Sequence, residues 1–430
     1  MKHLSKHVFL VDNTQPEISV ENNIKFNGQA DFVKNIFKYY PKYSGMKVAK
    51  NRVVKLTNWN GVDKFIVNYN CYWHQDWYTS IHKINPKILD AIRSGVGKIV
   101  FGNQLEGQPL ESKDDNHNFL EPMYKELERL KIPPQNVIYI TANCVADRFH
   151  DKYCEKNNIK DRMNIIGIMT EALEVKADLA VRSLSDYTFE EHFEILKQNK
   201  NNVRHWIKAH RNDRHYKTIP MHHLWSVGLQ DTMYTHIRKY ARGDIGYPDT
   251  ERHPADYQTK KWLQKLLFSK PSFEKTLPYK IDFTCDWQMD NFNSDRDFSK
   301  GIYQMALFNM YPSSWPFWED TAFLRHGVSW HFWEYQPLLI YGNLNSLQYL
   351  RERGYETFPE LFDESYDTEQ NRSKRLRMVC EEMERISRIP IDKCFDMYYS
   401  VKDKLIHNRK VLESDMELKR FMEWFDEAIR

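Results

Sequence analysis

The chain is expected to fold as two α/β domains, and three observations carry that expectation. Its 430 residues suffice for two hydrophobic cores. Up to about residue 185, short apolar runs alternate with amphipathic segments at the rhythm of a mostly parallel sheet covered on both faces by helices. A second set of strand-like runs begins at Val203, after a charged helical stretch over residues 186–204. The expected division is 1–185, 186–375, and closing helices over 376–430.

Each element has a local reason. Phe65–Tyr69 is a run of strand formers. Asn85 followed by Pro86 starts a helix over NPKILDAIR, because asparagine caps the free N–H groups and proline fits the first helical position. Gly97–Phe101, Asn136–Thr141 and Met163–Met169 are the next strands, separated by helices over Glu121–Leu130 and Ala146–Asn157. In the second half, the segment from Val203, Tyr279–Phe283 and Gln336–Tyr341 are strand candidates. Residues 244–278 carry proline and mixed charge and are expected to form an insertion or long connection. The charged helical spacing after Arg372 predicts a closing pair of helices.

Composition narrows the function classes. Hydrophobic residues make up 41% and aromatics 14%, with 12 Trp and 25 Tyr, which suits a globular protein with ring-lined surfaces. No apolar run approaches the roughly 20 residues that span a bilayer, so no membrane partner is expected. The opening MKHLSKHVFLVDN has too short an apolar stretch for a cleaved signal, and the six scattered cysteines contain no C-x-x-C pair. An intracellular chain with reduced thiols is therefore expected. The net charge of +3, from 62 basic and 59 acidic residues, requires any nucleic-acid contact to come from a local patch. With 15 glycines, no G-x-G-x-x-G and no P-loop, dinucleotide enzymes and P-loop kinases are disfavoured.

Parallel sheets bind ligands beyond the carboxyl ends of their strands, which directs attention to the loops that follow them. After Phe65–Tyr69 come Tyr72, Trp73, His74, Asp76 and Trp77: rings that can stack on a base or sugar, beside groups able to take a proton. An aromatic corner with a surface aspartate is the competing reading. After Gly97–Phe101, Glu106 stands beside Gly107 as a candidate base or a loop cap. Lys208–Lys217 places Arg211, Arg214, His215 and Lys217 within seven residues, where the planar forks of arginine suit a diphosphate. A solvated charged face is the commoner outcome for such a run. Trp315–Pro337 is dense in aromatic residues and holds Glu319, Asp320, Arg325 and His326, either as a buried wall or as a lined pocket. Finally, Tyr341-Gly342-Asn343 leads into a helix near Ser346. There, free N–H groups would suit a phosphate, although an ordinary strand-to-helix turn is more frequent.

An ordered series then stands out: Ile302–Phe308 (IYQMALF), Phe323-Leu324, Tyr335–Gly342 (YQPLLIYG), Ser346–Phe358 (SLQYLRERGYETF) and Phe362–Asp367 (FDESYD). It resembles the C-terminal half of GT-B-type glycosyltransferases common in tailed-phage genomes. The basic stretch Ala209–Lys217 followed by Gly228-Leu-Gln-Asp231 fits the same pattern. The resemblance covers roughly residues 205–375 well and the first half only in general layout, and GYETFPELFDESYD is its specific part.

It implies a GT-B-like fold, two Rossmann-like domains with an interdomain cleft and C-terminal helices, and a nucleotide-sugar co-substrate, UDP-linked by expectation. Arg211, Arg214, Lys217, Arg325 and His326 would neutralise the diphosphate, with Asn343 and Ser346 at a helix start. Glu106, Asp76 or His74 would act as base, and Tyr72, Trp73 and Trp77 would hold the acceptor. No metal and no further cofactor are expected. One departure matters: the family's Ser-Glu-Lys falls on Arg325-His326-Gly327. That implies a different donor or a chain without catalysis. The implied acceptor is a hydroxymethylated pyrimidine in double-stranded phage DNA, in the cytoplasm of an infected cell. The alternatives are a protein or surface-glycan acceptor, and a non-catalytic nucleic-acid-binding protein of the same fold.

Overall fold

The computed structural model describes residues 3, 6–11, 17–20, 24–27, 53–70, 77–103, 110–112, 117–169, 187–208, 215–237, 256–275, 279–280, 306–312, 322, 326–414 and 416–430. The chain divides into two compact units. One comprises Met1–Ala180, Trp318–Leu324 and Asp415–Arg430, the other Val181–Phe317 and Arg325–Ser414.

In the first unit the strands are β1 (Val8–Val11), β2 (Glu17–Val20), β3 (Ile24–Asn27), β4 (Val53–Lys55), β5 (Phe65–Asn70), β6 (Gly97–Asn103), β7 (Glu111–Ser112), β8 (His117–Asn118), β9 (Val137–Thr141) and β10 (Asn164–Gly167). Its helices are α1 (Pro86–Arg93), α2 (Leu120–Arg129) and α3 (Ala146–Lys156). The second unit holds strands β11 (Arg204–Lys208), β12 (Met233–Ile237), β13 (Tyr279–Lys280), β14 (Ala306–Pro312) and β15 (Leu338–Tyr341). Its helices are α4 (Phe189–Gln198), α5 (His215–Ser226), α6 (Tyr257–Lys275), α7 (His326–Trp333), α8 (Ser346–Glu352), α9 (Arg372–Ser387), α10 (Ile391–Ser400) and α11 (Lys402–Glu413). The last helix, α12 (Met416–Ala428), belongs to the first unit.

The expected fold class is the one observed: each unit is a mainly parallel sheet with helices. In the first unit, β4, β1, β5, β6, β9 and β10 lie side by side in that order, all parallel. Alternation along each strand divides its side chains between two cores. Phe65, Val67 and Tyr69 join Ile99, Phe101 and Tyr139 under α1 and α2. Ile66, Val100, Ile138, Ile140 and Ile166 point to the other face, where Leu418, Phe421, Met422 and Phe425 of α12 cover them. A strand buried on both faces must be apolar throughout, which is why these runs show no polar alternation.

Local signals behave as expected in several places. The Asn85 side chain accepts from Lys87 N–H at 3.0 Å, with Pro86 at the first helical position. Thr188 and Glu191 form a reciprocal capping box at the start of α4. Other expectations need correction. The stretch read as a long connection contains the 19-residue helix α6, whose Pro271 stands near its end. The closing pair of helices is four, and the fourth packs on the sheet of the first unit. Strand β14 carries no clear strand signal in sequence. It is buried from Ala306 to Tyr311 between β11 and β15.

The second sheet runs β13, β12, β11, β14, β15, with only the edge pair β12–β13 antiparallel. The string GYETFPELFDESYD is explained by packing. Tyr355 stacks on Phe332 at 4.8 Å between ring centroids, and Phe362 lies against Trp206 and Phe308. The Tyr366 hydroxyl accepts from Ile340 N–H at 3.2 Å, satisfying a donor on edge strand β15. Glu364 accepts from Phe358 N–H (2.8 Å), the Thr357 hydroxyl (3.0 Å) and Arg351. This carboxylate ties the strand-like segment after α8 to the turn before α9.

Candidate functional site at the strand ends

Among their parallel strands the two sheets share one strand order, and that order locates the candidate site. Numbered by chain order, the parallel strands of the first unit lie as 2-1-3-4-5-6 and those of the second as 2-1-3-4. In each, the connection after the first strand runs one way and that after the third runs the other. The crevice opened there, at the carboxyl ends of the first and third strands, is where open α/β sheets take ligands. In the first unit those strands are β1 and β5, in the second β11 and β14.

Strand β5 ends at Asn70, directly before the aromatic run that contains Tyr72, Trp73, His74 and Asp76. Strand β6, its neighbour, ends at Asn103, three residues before Glu106. Strand β11 ends at Lys208 and α5 begins at His215, so Arg211 and Arg214 join the switch-point strand to that helix. Strand β14 ends at Pro312, and His326 opens α7 immediately after Arg325. His74, Asp76, Tyr72, Trp73, Glu106, Arg211, Arg214 and Arg325 lie outside the described residues. Trp77, Lys217 and His326 are described in backbone alone. The candidates after β5, β11 and β14 thus follow switch-point strands in chain position, whereas Glu106 follows β6, the next strand over.

Asn343 and Ser346 are described in full, and their surroundings correct the expected phosphate position. Both are 0% exposed. The Ser346 hydroxyl donates to the Asn343 carbonyl at 2.6 Å. A Cβ at Gly342 would stand 2.4 Å from the Ser346 hydroxyl oxygen, so only glycine admits that serine. Asn345 adopts the left-handed region at φ 61°. The helix start is already filled. Asp367 Oδ2 accepts from Leu347 N–H at 3.0 Å, its carbonyl accepts from Asn345 N–H at 2.8 Å, and Gln348 N–H also contributes. The anion at this helix start is the chain's own. Burial raises the Asp367 carboxyl to about 6, opposed by those N–H groups and by the charges of Arg375 and Arg351.

A residue absent from the sequence-based candidates marks the carboxyl edge of the first unit. Asn143, just beyond β9, is fully buried. Its side-chain oxygen accepts from Val145 N–H (3.3 Å) and from Ala322 N–H (3.1 Å), while Cys144 N–H donates to the Ala322 carbonyl (2.8 Å). The Asn143 carbonyl also stands 2.0 Å from where a Cβ on Gly167 would be. The sequence signal was the buried-strand ending Thr-Ala-Asn, but its partner lies 179 residues away and no local pattern reveals it.

Elsewhere, buried titratable groups are held neutral. In the first unit Tyr124 OH, His150 Nε2 and Cys154 Sγ lie within 2.8–3.5 Å of one another. Burial lowers His150 to about 4 and raises both the phenol and the thiol, so this is a structural triad without a thiolate nucleophile. In the second unit Trp262 donates to His223 Nδ1 at 3.1 Å, and the other ring nitrogen faces Glu384 at 3.0 Å. A cavity of about 370 Å³, bordered by Arg204, His205, Asp231 and Thr232, opens at the amino ends of β11 and β12, the edge opposite the switch point. Among the described residues no cluster of three His, Cys, Asp or Glu is placed to hold a metal ion, and no helix is long and apolar enough to cross a membrane.

Several solved structures are similar to the chain. The chain is similar to the α,α-trehalose 6-phosphate synthase of Burkholderia multivorans, at 11% identity and TM-score 0.40, over 85% of this chain and 71% of that one. It is similar to a second trehalose-6-phosphate synthase at 11% identity and TM-score 0.40, over 98% and 92%. A third is the N-terminal domain of the Candida albicans trehalose-6-phosphate phosphatase, at 10% identity and TM-score 0.41, over 84% and 70%. No family model matches the chain. No curated protein matches it in sequence.

Proposed function

We propose that the chain is a glycosyltransferase that moves a sugar from a nucleotide-sugar donor to a hydroxyl acceptor, a hydroxymethylated pyrimidine in DNA. The observation that supports this reading most is the strand order of the second unit. With β11 at the switch point, the basic run Arg211–Lys217 follows that strand in sequence and continues into the start of α5.

A nucleoside diphosphate leaving group gains negative charge as the glycosidic bond breaks. Cations held in place for that charge stabilise the transition state more than the ground state. Arg211, Arg214 and Lys217 take this role, with Arg325 and His326 before and at the start of α7. In the first unit, Glu106, Asp76 or His74 removes the acceptor hydroxyl proton as the new bond forms. Tyr72, Trp73 and Trp77 supply rings for an acceptor base, which must leave the stack to be reached.

The test is direct. The protein is incubated with hydroxymethylated duplex DNA and a panel of nucleotide sugars, and the DNA is digested to nucleosides for mass spectrometry. A hexose-sized mass increase on the modified pyrimidine is expected with at least one donor. No increase with any donor overturns the reading.

A further inference from the structure

Helix α6 buries one side and shows another of unusual make-up. Thr259, Leu263, Leu266 and Phe273 face inward, and Trp262 and Ser269 bond to His223 and His222 of α5. On the outward side Phe268 is 90% exposed and Tyr257 78%. Eleven residues separate them, three helical turns or about 16 Å, so both point the same way. Lys261 lies on the same line between them, and Lys260 and Lys265 flank it; all three are exposed. Among the described residues Phe268 and Tyr257 are the most exposed large hydrophobic side chains.

We infer that this outward face of α6 binds the acceptor nucleic acid, its lysines on phosphates and Phe268 and Tyr257 on bases. The inference rests on the proposed DNA acceptor. Alternation decides between polyanions. A bilayer surface requires an uninterrupted apolar stripe with cations along its borders. Here Lys261 sits within the line of rings. Cations and rings in alternation instead match a strand that presents phosphates and base faces at each step. The helix is also anchored to α5, the element that follows the basic run after β11.

The test uses the full chain with a fluorescein-labelled hydroxymethylated DNA, as duplex and as single strand, followed by anisotropy at two salt concentrations and without donor. Phe268→Ala is expected to weaken binding about tenfold, within the range for loss of one stacked base. Lys260→Glu, Lys261→Glu and Lys265→Glu together are expected to lower the salt dependence by about two in log–log slope. Thermal unfolding should not move for Phe268→Ala, since the ring is exposed. Unchanged affinity in both variants overturns the inference. So does binding to phosphatidylserine vesicles in place of DNA. Sugar transfer to the same hydroxymethylated DNA, from a panel of nucleotide sugars, is measured alongside. If it fails in the parent chain while DNA binding responds to Phe268→Ala, the transferase reading falls and this face stands.

Discussion

Two strand-to-helix junctions in the second unit differ in the charges that their sequences carry. After β15, the turn Gly342–Asn345 leads into α8, whose first N–H groups are taken by Asp367 from 20 residues downstream. After β11, the chain reaches α5 through Ala209–Arg214, a run bearing two arginines. A free helix start attracts an anion of any origin. When the chain supplies its own carboxylate, the junction becomes part of the fold. When it supplies cations beside a switch point, an outside anion is the reading that fits.

The contrast is broken or sharpened first at the arginines. Arg211→Ala is expected to lower kcat/KM for the donor about a hundredfold or more, the usual loss for one group aimed at developing charge. Ser346→Ala should leave the donor KM unchanged, since its hydroxyl is spent on the Asn343 carbonyl. Steady-state kinetics on both variants, with equal melting temperature for Arg211→Ala, checks the pair. A larger kinetic loss in Ser346→Ala than in Arg211→Ala would reverse the assignment.

Asp367 is the next test. Asp367→Ala removes the cap of α8 and leaves Leu347 N–H buried without its acceptor, at a cost of about 2 kcal/mol. Asp367→Asn keeps an acceptor oxygen and removes a charge that burial disfavours, so at pH 7 it should stay within about 0.5 kcal/mol of the parent. Urea unfolding of the two variants separates the cap from the charge.

How much of this was legible follows from range. The buried strands of the first unit were readable because both faces demand apolar residues, and α1 because its cap is local. Helix α6 was missed because its proline and lysines imitate a connection, while the apolar positions that hold it are only Leu263, Leu266 and Phe273. The destination of α12 was unreadable: its helical period is plain, but nothing in it names a sheet more than 200 residues earlier. For the site, the loops after β5 and β11 could be singled out by composition. That they flank switch points needed the strand order, which depends on pairings such as β1 with β5 and β11 with β14. Asp367 was half legible, a carboxylate in a conspicuous motif whose partner at Leu347 only folding reveals.

Acid stability extends the comparison to buried histidines. His150 and His222 are held near 4 and His192 near 3, in each case chiefly by burial. Below pH 6.5 the unfolded chain protonates these rings while the folded chain does not. The unfolded state then binds more protons, and stability falls with pH down to the folded values, by up to about 1.4 kcal/mol per unit for each ring. Asp367 acts oppositely. Its folded value of about 6 exceeds the ordinary 3.8, so the folded state takes up the proton first and stability rises as pH falls between them. Three rings outweigh one carboxyl, so the chain should lose stability from pH 6.5 to 4. Asp367→Asn should steepen that loss, as followed by melting temperature against pH.

A further expected effect concerns a buried polar group with no hydrogen-bond partner among the described residues. His192 is 0% exposed, and neither ring nitrogen has a hydrogen-bond partner. Its neighbours are the rings of Tyr187, Tyr335 and Tyr398, with centroids 5.2–6.4 Å away, and the charge of Arg409 further opposes its protonation. Arg409 itself lies over Trp333 at 4.1 Å and Tyr335 at 4.8 Å. A phenyl ring fits the same shape without nitrogens to desolvate. His192→Phe should therefore stabilise the chain by about 1 kcal/mol at pH 7 and flatten its acid limb by one ring's share. A loss of stability would mean that a nitrogen of His192 is satisfied in solution, by water, for example. In that case this site would resemble Asp367, a buried polar group bonded into the fold.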